Sequence, residues 1–137
     1  MSHPFLLSPE EQNKLRELQV GLVYLFGSQA EGVAGKLSDI DIGVVFTNPA
    51  IVHNDTFPVY GKLYDIFFVA FGSENLDIVL LERATLELKF DVIAHGKVLF
   101  EISSDFRDAF ERRISMLYAD FRPILENFNA TVLARIP

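Results

Sequence analysis

Hydrophobic and polar positions along the chain fall into two periods, and their changeovers mark the elements. Ser8-Pro9-Glu10-Glu11 reads as a helix start, with Ser8 as N-cap, Pro9 at the first position and Glu11 closing a capping box. That helix is expected to reach about Leu18 and to bury Leu15 and Leu18. An unbroken apolar run from Val20 to Phe26 predicts a buried strand that stops at Gly27-Ser28, a tight turn, with a short helix from Gln29 to Ala34. A second apolar run, Ile42 to Phe46, predicts another strand, followed by a polar loop over 47–57 with Asn48-Pro49 as its turn.

Further on, Tyr60, Leu63, Tyr64, Phe67, Phe68 and Phe71 recur at spacings of three and four. This favours a helix over 59–71, stopped by Gly72, although the aromatic and β-branched content also suits a strand. Leu76 to Leu81 reads as a short buried strand that holds one acid, Asp77. Thr85 to His95 has helical composition, with Leu86, Phe90 and Ile93 on one side and Gly96 as its stop. Lys97 to Glu101 is a short strand. Ser103 or Ser104 then caps a long final helix carrying Phe106, Phe110, Ile114, Leu117, Phe121 and Leu125, which Pro123 is expected to kink or split. Such a stripe is expected to pack mainly inward. Strands interleaved with helices place the chain in the α/β class.

Composition narrows what this architecture can do. At 137 residues, half of them hydrophobic and thirteen of them Phe, the chain is expected to form a single domain over 1–137 with a packed core. A net charge of −7 argues against a standing nucleic-acid partner, which needs a clustered basic face. No run of eighteen apolar residues offers a membrane span, and the opening MSHPFLLSPEE lacks the basic-then-apolar pattern of a secretory signal. With no cysteine there is no disulfide or thiolate metal site, and the cytoplasm is the expected compartment. His3, His53 and His95 are scattered and form no cluster; His95, at a helix end, suits the C-terminal dipole.

The chemistry concentrates between the first two strands. Gly27-Ser28 at a strand end opens onto a helix start, a place where backbone N–H groups can receive phosphate. Ten residues later come Asp39-Ile40-Asp41. Strand alternation puts Asp39 and Asp41 on one face while Ile40 and Ile42 point into the core. Adjacent carboxylates repel unless a cation lies between them, and Mg²⁺ typically takes one or two carboxylates together with phosphate oxygens and water. A phosphate cradle facing a carboxylate pair therefore points to Mg²⁺-nucleotide chemistry.

Gly27-Ser28, ten intervening residues and Asp39-Ile40-Asp41 together resemble the signature of the DNA-polymerase-β-like nucleotidyltransferases. Within these, the chain is most similar to the minimal nucleotidyltransferases that accompany HEPN-domain proteins in toxin–antitoxin pairs. The resemblance implies a small mixed β-sheet flanked by helices with a long C-terminal helix. It implies ATP as donor, two Mg²⁺ ions on Asp39 and Asp41, Gly27 and Ser28 at the β- and γ-phosphates, and a third carboxylate from a neighbouring strand. Asp77 matches that place, and Asp65, in the similar string Tyr64-Asp65-Ile66-Phe67, is its rival. The implied acceptor is a hydroxyl of a HEPN-domain ribonuclease, silenced by adenylylation, within a hetero- or homo-oligomer. Family members often carry a basic residue where this chain has Glu31, with Lys36 as the nearby substitute. That departure, with the long apolar final helix, leaves open a non-catalytic antitoxin that neutralises by contact. Transfer to a small molecule such as an aminoglycoside is the other alternative.

Overall fold

The computed structural model describes residues 5–32 and 39–134. The segment 33–38, which holds Gly35, Lys36 and the end of the helix expected over Gln29 to Ala34, lies outside the described residues. Helix α1 (Pro9–Glu17) starts as its sequence dictates: Ser8 Oγ accepts from the Glu11 N–H at 3.1 Å, and Glu11 Oε1 accepts from the Ser8 N–H at 2.8 Å. A reciprocal cap of this kind contributes about 1 kcal/mol. Leu15 is fully buried, while Leu18 lies at the edge of the core.

Four strands form one mixed sheet in the order β3-β2-β1-β4. Strand β1 (Val20–Phe26) runs antiparallel to both β2 (Ile40–Phe46) and β4 (Lys97–Glu101), and β3 (Leu76–Leu80) pairs parallel to β2. Every residue of β1 is buried, as its unbroken apolar run requires of a central strand. Alternation along the strands creates two cores. Val23, Leu25, Ile40, Ile42, Val44, Ile78 and Leu80 face one side, against α1 and helix α3 (Phe57–Phe71), whose Leu63, Ile66 and Phe67 are buried there. Leu22, Tyr24, Phe26 and Val45 face the other side, against helices α4 (Leu86–His95) and α5 (Ser104–Ala134), through Val92, Phe110 and Ile114.

The 59–71 segment is helical, and Gly72 closes it at φ +65°, in the left-handed region that glycine favours. Gly96 ends α4 differently, in extended conformation, and its N–H donates to the Val92 carbonyl at 2.7 Å. The loop after β2 contains a 3-10 turn (Pro49–His53) capped by Asn48, and its Val52 is buried. Three expectations need correcting, and a fourth is narrowed. The helix after β1, α2 (Gly27–Glu31), begins at Gly27 itself, not two residues later. Strand β3 is an edge strand and not a buried one, so Asp77 is exposed and has no burial cost to offset. Of the two outcomes expected at Pro123, a kink or a split, the split is excluded, since α5 is continuous; the lost backbone bond falls at exposed Ala119, where water can satisfy the carbonyl. Finally, the stripe of α5 packs inward only as far as Ile114; Leu117 and Phe121 are exposed.

Polar bonds fix the first half of α5. The Tyr24 hydroxyl donates to Glu111 Oε2 at 2.7 Å, and burial beside that carboxylate pushes the phenol well above its ordinary pKa. Arg107 reaches Glu101 Oε2 at 3.3 Å and Glu111 Oε1 at 3.8 Å, tying the helix to β4. Among the described residues no helix is long and apolar enough to cross a membrane.

Candidate active site

The parallel pairing of β2 with β3 sets Asp41 directly opposite Asp77, and the antiparallel pairing of β2 with β1 sets Asp41 opposite Phe26, the last residue before Gly27. Odd-numbered positions of β2 share the sheet face of Val45, while Ile40 and Ile42 fill the opposite core. Asp39 and Asp41 therefore lie on the α4/α5 side, with Asp39 just before the strand begins. On β3, Ile78 and Leu80 take the α1/α3 side, which leaves Asp77 on the same side as Asp41. Three carboxylates are thus gathered at one end of the sheet, beside the corner where β1 turns into α2.

Their electrostatics follow from this placement. Asp41 is partly buried, and burial is the largest cause that raises its pKa; the Asp77 and Asp39 charges and a hydrogen bond with Asp77 raise it further. No cation among the described residues contributes, and the neighbouring carboxylates raise it together. Among the described residues no group of three or more His, Cys, Asp or Glu side chains is already arranged to hold a metal ion. An incomplete set of hard oxygen donors fits Mg²⁺, which takes few protein carboxylates and leaves positions for phosphate and water.

Gly27 is required here for a reason that a phosphate cradle alone does not give. A Cβ at this position would overlap Asp41 Oδ2, and its φ of +69° is in the left-handed region. The bare Cα lets the carboxylate lie against the chain at the turn. The first turn of α2 carries no side-chain cap, so its N–H groups are not taken up by a capping residue. Ser28 is half-buried in that turn, and Glu31, at the end of α2, is exposed.

Asp65 does not join this cluster. It is exposed on α3 and lines a separate groove with Glu11, Lys14, Glu17 and Lys62, on the helices that cover the opposite face. His53 and His95 are also elsewhere; His95 Nδ1 lies 3.1 Å from Asp91 Oδ1, one helical turn earlier. A cleft of about 600 Å³ opens at the other end of β2, lined by Phe46, His53, Glu82, Lys89, Phe110 and Arg113 among others. Phe46 is five residues along the strand from Asp41, roughly 17 Å at strand rise, so this cleft is not part of the carboxylate site.

Comparison with known proteins agrees with this geometry. Residues 11–105 match the domain family described as polymerase beta, nucleotidyltransferase. A protein adenylyltransferase, MntA, of Aphanizomenon flos-aquae (strain 2012/KM1/D3) is 31% identical, over 84% of this chain and 90% of its own length. Among solved structures, a chain of a toxin–antitoxin complex with AMP-PNP superimposes with a TM-score of 0.60 at 25% identity, covering 85% of this chain and 97% of that one. A chain from a complex of a tri-AMPylated Shewanella oneidensis HEPN toxin with an MNT antitoxin shares the fold, with a TM-score of 0.53 at 23% identity over 87% of this chain and 96% of that one.

Proposed function

Because this chain belongs to the polymerase beta nucleotidyltransferase family, we propose that it transfers AMP from ATP to a hydroxyl of a HEPN-domain partner protein, as an antitoxin that silences a ribonuclease. The observation that carries the reading is the carboxylate cluster, Asp41 in register with Asp77 and next to Asp39, placed against the bare Cα of Gly27. The donor fits a family of nucleotidyltransferases, and the acceptor follows from the relatives, one a protein adenylyltransferase and one in complex with an AMPylated HEPN toxin. The cytoplasm is the compartment where such a pair would meet.

Asp39, Asp41 and Asp77 are the residues that would hold Mg²⁺, which would supply charge neutralisation at the phosphates and a lower pKa for the acceptor hydroxyl. The chain's own work is positioning. The α2 corner receives the β- and γ-phosphates through backbone N–H groups, with the Ser28 hydroxyl as a further donor. The acceptor oxygen attacks the α-phosphorus; a P–O bond to AMP forms, the bond to the β-phosphate oxygen breaks, and pyrophosphate leaves. Asp77, the more exposed member of the pair, takes the hydroxyl proton on a carboxylate oxygen. Its place on an edge strand gives a protein acceptor access that a central strand would deny.

The test is incubation of the chain with a HEPN-domain partner protein, ATP and Mg²⁺. AMP-sized mass increments on the partner are expected, absent with Asp39→Asn/Asp41→Asn. Neutralisation by that double variant at wild-type strength, without mass gain on the partner, would replace catalysis with neutralisation by contact.

A further inference from the structure

The final helix changes character halfway along. Phe110, Ile114, Leu117, Phe121, Ile124 and Phe128 follow one another at spacings of four, three, four, three and four. That is the heptad seam with which one helix packs along another. Phe110 and Ile114 spend it on the chain's own core, at 7% and 2% exposure. The seam then continues with no described residue packed over it: Leu117 is 38% exposed, Phe121 47%, Ile124 61% and Phe128 64%. Phe90 of α4 stacks on Tyr118 at 4.0 Å between ring centroids, so α4 flanks the stripe on one side. Leu86 and Thr85 at the start of α4 form with Phe121, Ile124 and Leu125 an almost wholly apolar groove of about 280 Å³.

With about 200 Å² for each large side chain, the uncovered stripe exposes on the order of 500 Å², as much as monomers leave bare at functional patches. The seam's period selects an α-helix as occupant, since a strand or loop would not repeat at 3.5 residues. Charge selects its flanks. Glu87 lines the groove and Asp120 borders the seam, and neither has an ion-pair partner among the described residues; Arg122, the nearby cation, is bound to Glu126 at 2.9 Å. A second copy of this chain would bring another net −7 to an acidic rim.

We infer that the second half of α5, together with the start of α4, is the docking groove for one amphipathic helix of the partner protein, whose apolar stripe is bordered by Lys or Arg. The identity of that partner rests on the adenylylation reading; the groove does not. Docking is thereby placed on an apolar helix face distinct from the carboxylate end of the sheet, and not on the rim of the active site.

The experiment compares the full chain with Phe121→Asp and, separately, Ile124→Glu, both at exposed positions that the fold does not need. Calorimetric affinity for the HEPN-domain partner is expected to fall at least a hundredfold in each, with Tm and Mg²⁺-ATP binding as in wild type. Affinity within threefold of wild type in both variants overturns the groove. Wild-type self-association that either substitution abolishes also overturns it, assigning the face to a second copy. A photo-crosslinker at Phe128 should capture a helix of the partner with basic flanks; capture of a non-helical segment overturns the occupant. Failure of the function reads out separately: a partner that binds wild type but gains no AMP sinks adenylylation and leaves the binding result intact.

Discussion

The two ends of β2 each hold a carboxylate whose pKa is raised chiefly by burial, and they differ in what surrounds it. At the Phe46 end, Glu82 Oε2 accepts from the Phe46 N–H at 2.7 Å, and a bond to its own backbone together with Lys89 and Arg113 works against the burial. Its other oxygen, Oε1, has no hydrogen-bond partner. At the other end, the charged groups that act on Asp41 among the described residues are further acids, Asp77 and Asp39, and each of them raises its pKa. A carboxylate whose surroundings offset its charge is holding the fold together, here by satisfying a buried strand N–H. One whose surroundings add to its charge is destabilising as it stands and needs a ligand to justify it.

The sharpest way to break this comparison is to neutralise each carboxylate in turn. Asp41→Asn should lower AMP transfer by about a thousandfold or more, on the scale of removing a preorganised electrostatic group, while Tm stays level or rises. Glu82→Gln should leave transfer within about threefold of wild type. Mass spectrometry of the partner over time, with thermal melts of both variants, checks the pair. Transfer by Asp41→Asn within tenfold of wild type would mean that the two ends are not different in kind.

Gly27 sharpens the comparison from the backbone side. Gly27→Ala puts a methyl group into Asp41 Oδ2 at a φ of +69°. Strain at such a position costs about 1–3 kcal/mol, and transfer should fall about a hundredfold as the carboxylate is displaced. Gly32→Ala is the control, since its φ of +73° brings similar strain with nothing within 4 Å of the added carbon. Equal losses of transfer in the two variants would reduce the Gly27 effect to backbone strain. A smaller loss is expected from Glu82→Ala, which strips the buried Phe46 N–H of its acceptor: about 1–3 kcal/mol of stability, read from chemical denaturation, with transfer unchanged once the protein is folded.

What the sequence revealed about these two ends differs for the same physical reasons. Gly27-Ser28 and Asp39-Ile40-Asp41 were legible because their meaning lies in local spacing and strand alternation, which operate within a few residues. Asp77 could be placed by its order in the chain, but its exposure could not, because that depends on β3 lying at the sheet edge, parallel to β2. Glu82 gave no sign, since the N–H it satisfies is 36 residues away. The stripe on α5 was visible as a pattern, yet an apolar stripe reads identically whether the chain covers it or leaves it to a partner. Only the path of the helix past α4 distinguishes the two.

The smallest effect expected is a pH dependence, and its sign follows from Asp41 alone. Its folded-state pKa is raised above the ordinary 3.8, so the native state holds this proton more tightly than the unfolded chain does. That contribution to stability is complete below pH 3.8 and is lost as pH rises through the folded-state value. Wild type must therefore weaken relative to Asp41→Asn as pH rises, because the Asn variant has no proton to lose. The difference in Tm between variant and wild type should be near its minimum at about pH 3.5 and grow steadily toward pH 7. Paired melts at several pH values read it directly, and titrating groups that do not interact with Asp41 cancel because both proteins share them. Adding Mg²⁺ at pH 7 should narrow the gap by stabilising wild type alone, since a ligand raises Tm only where it binds the folded state. A gap that stays constant from pH 3.5 to 7 would mean that Asp41 is not under the repulsion inferred from Asp39 and Asp77.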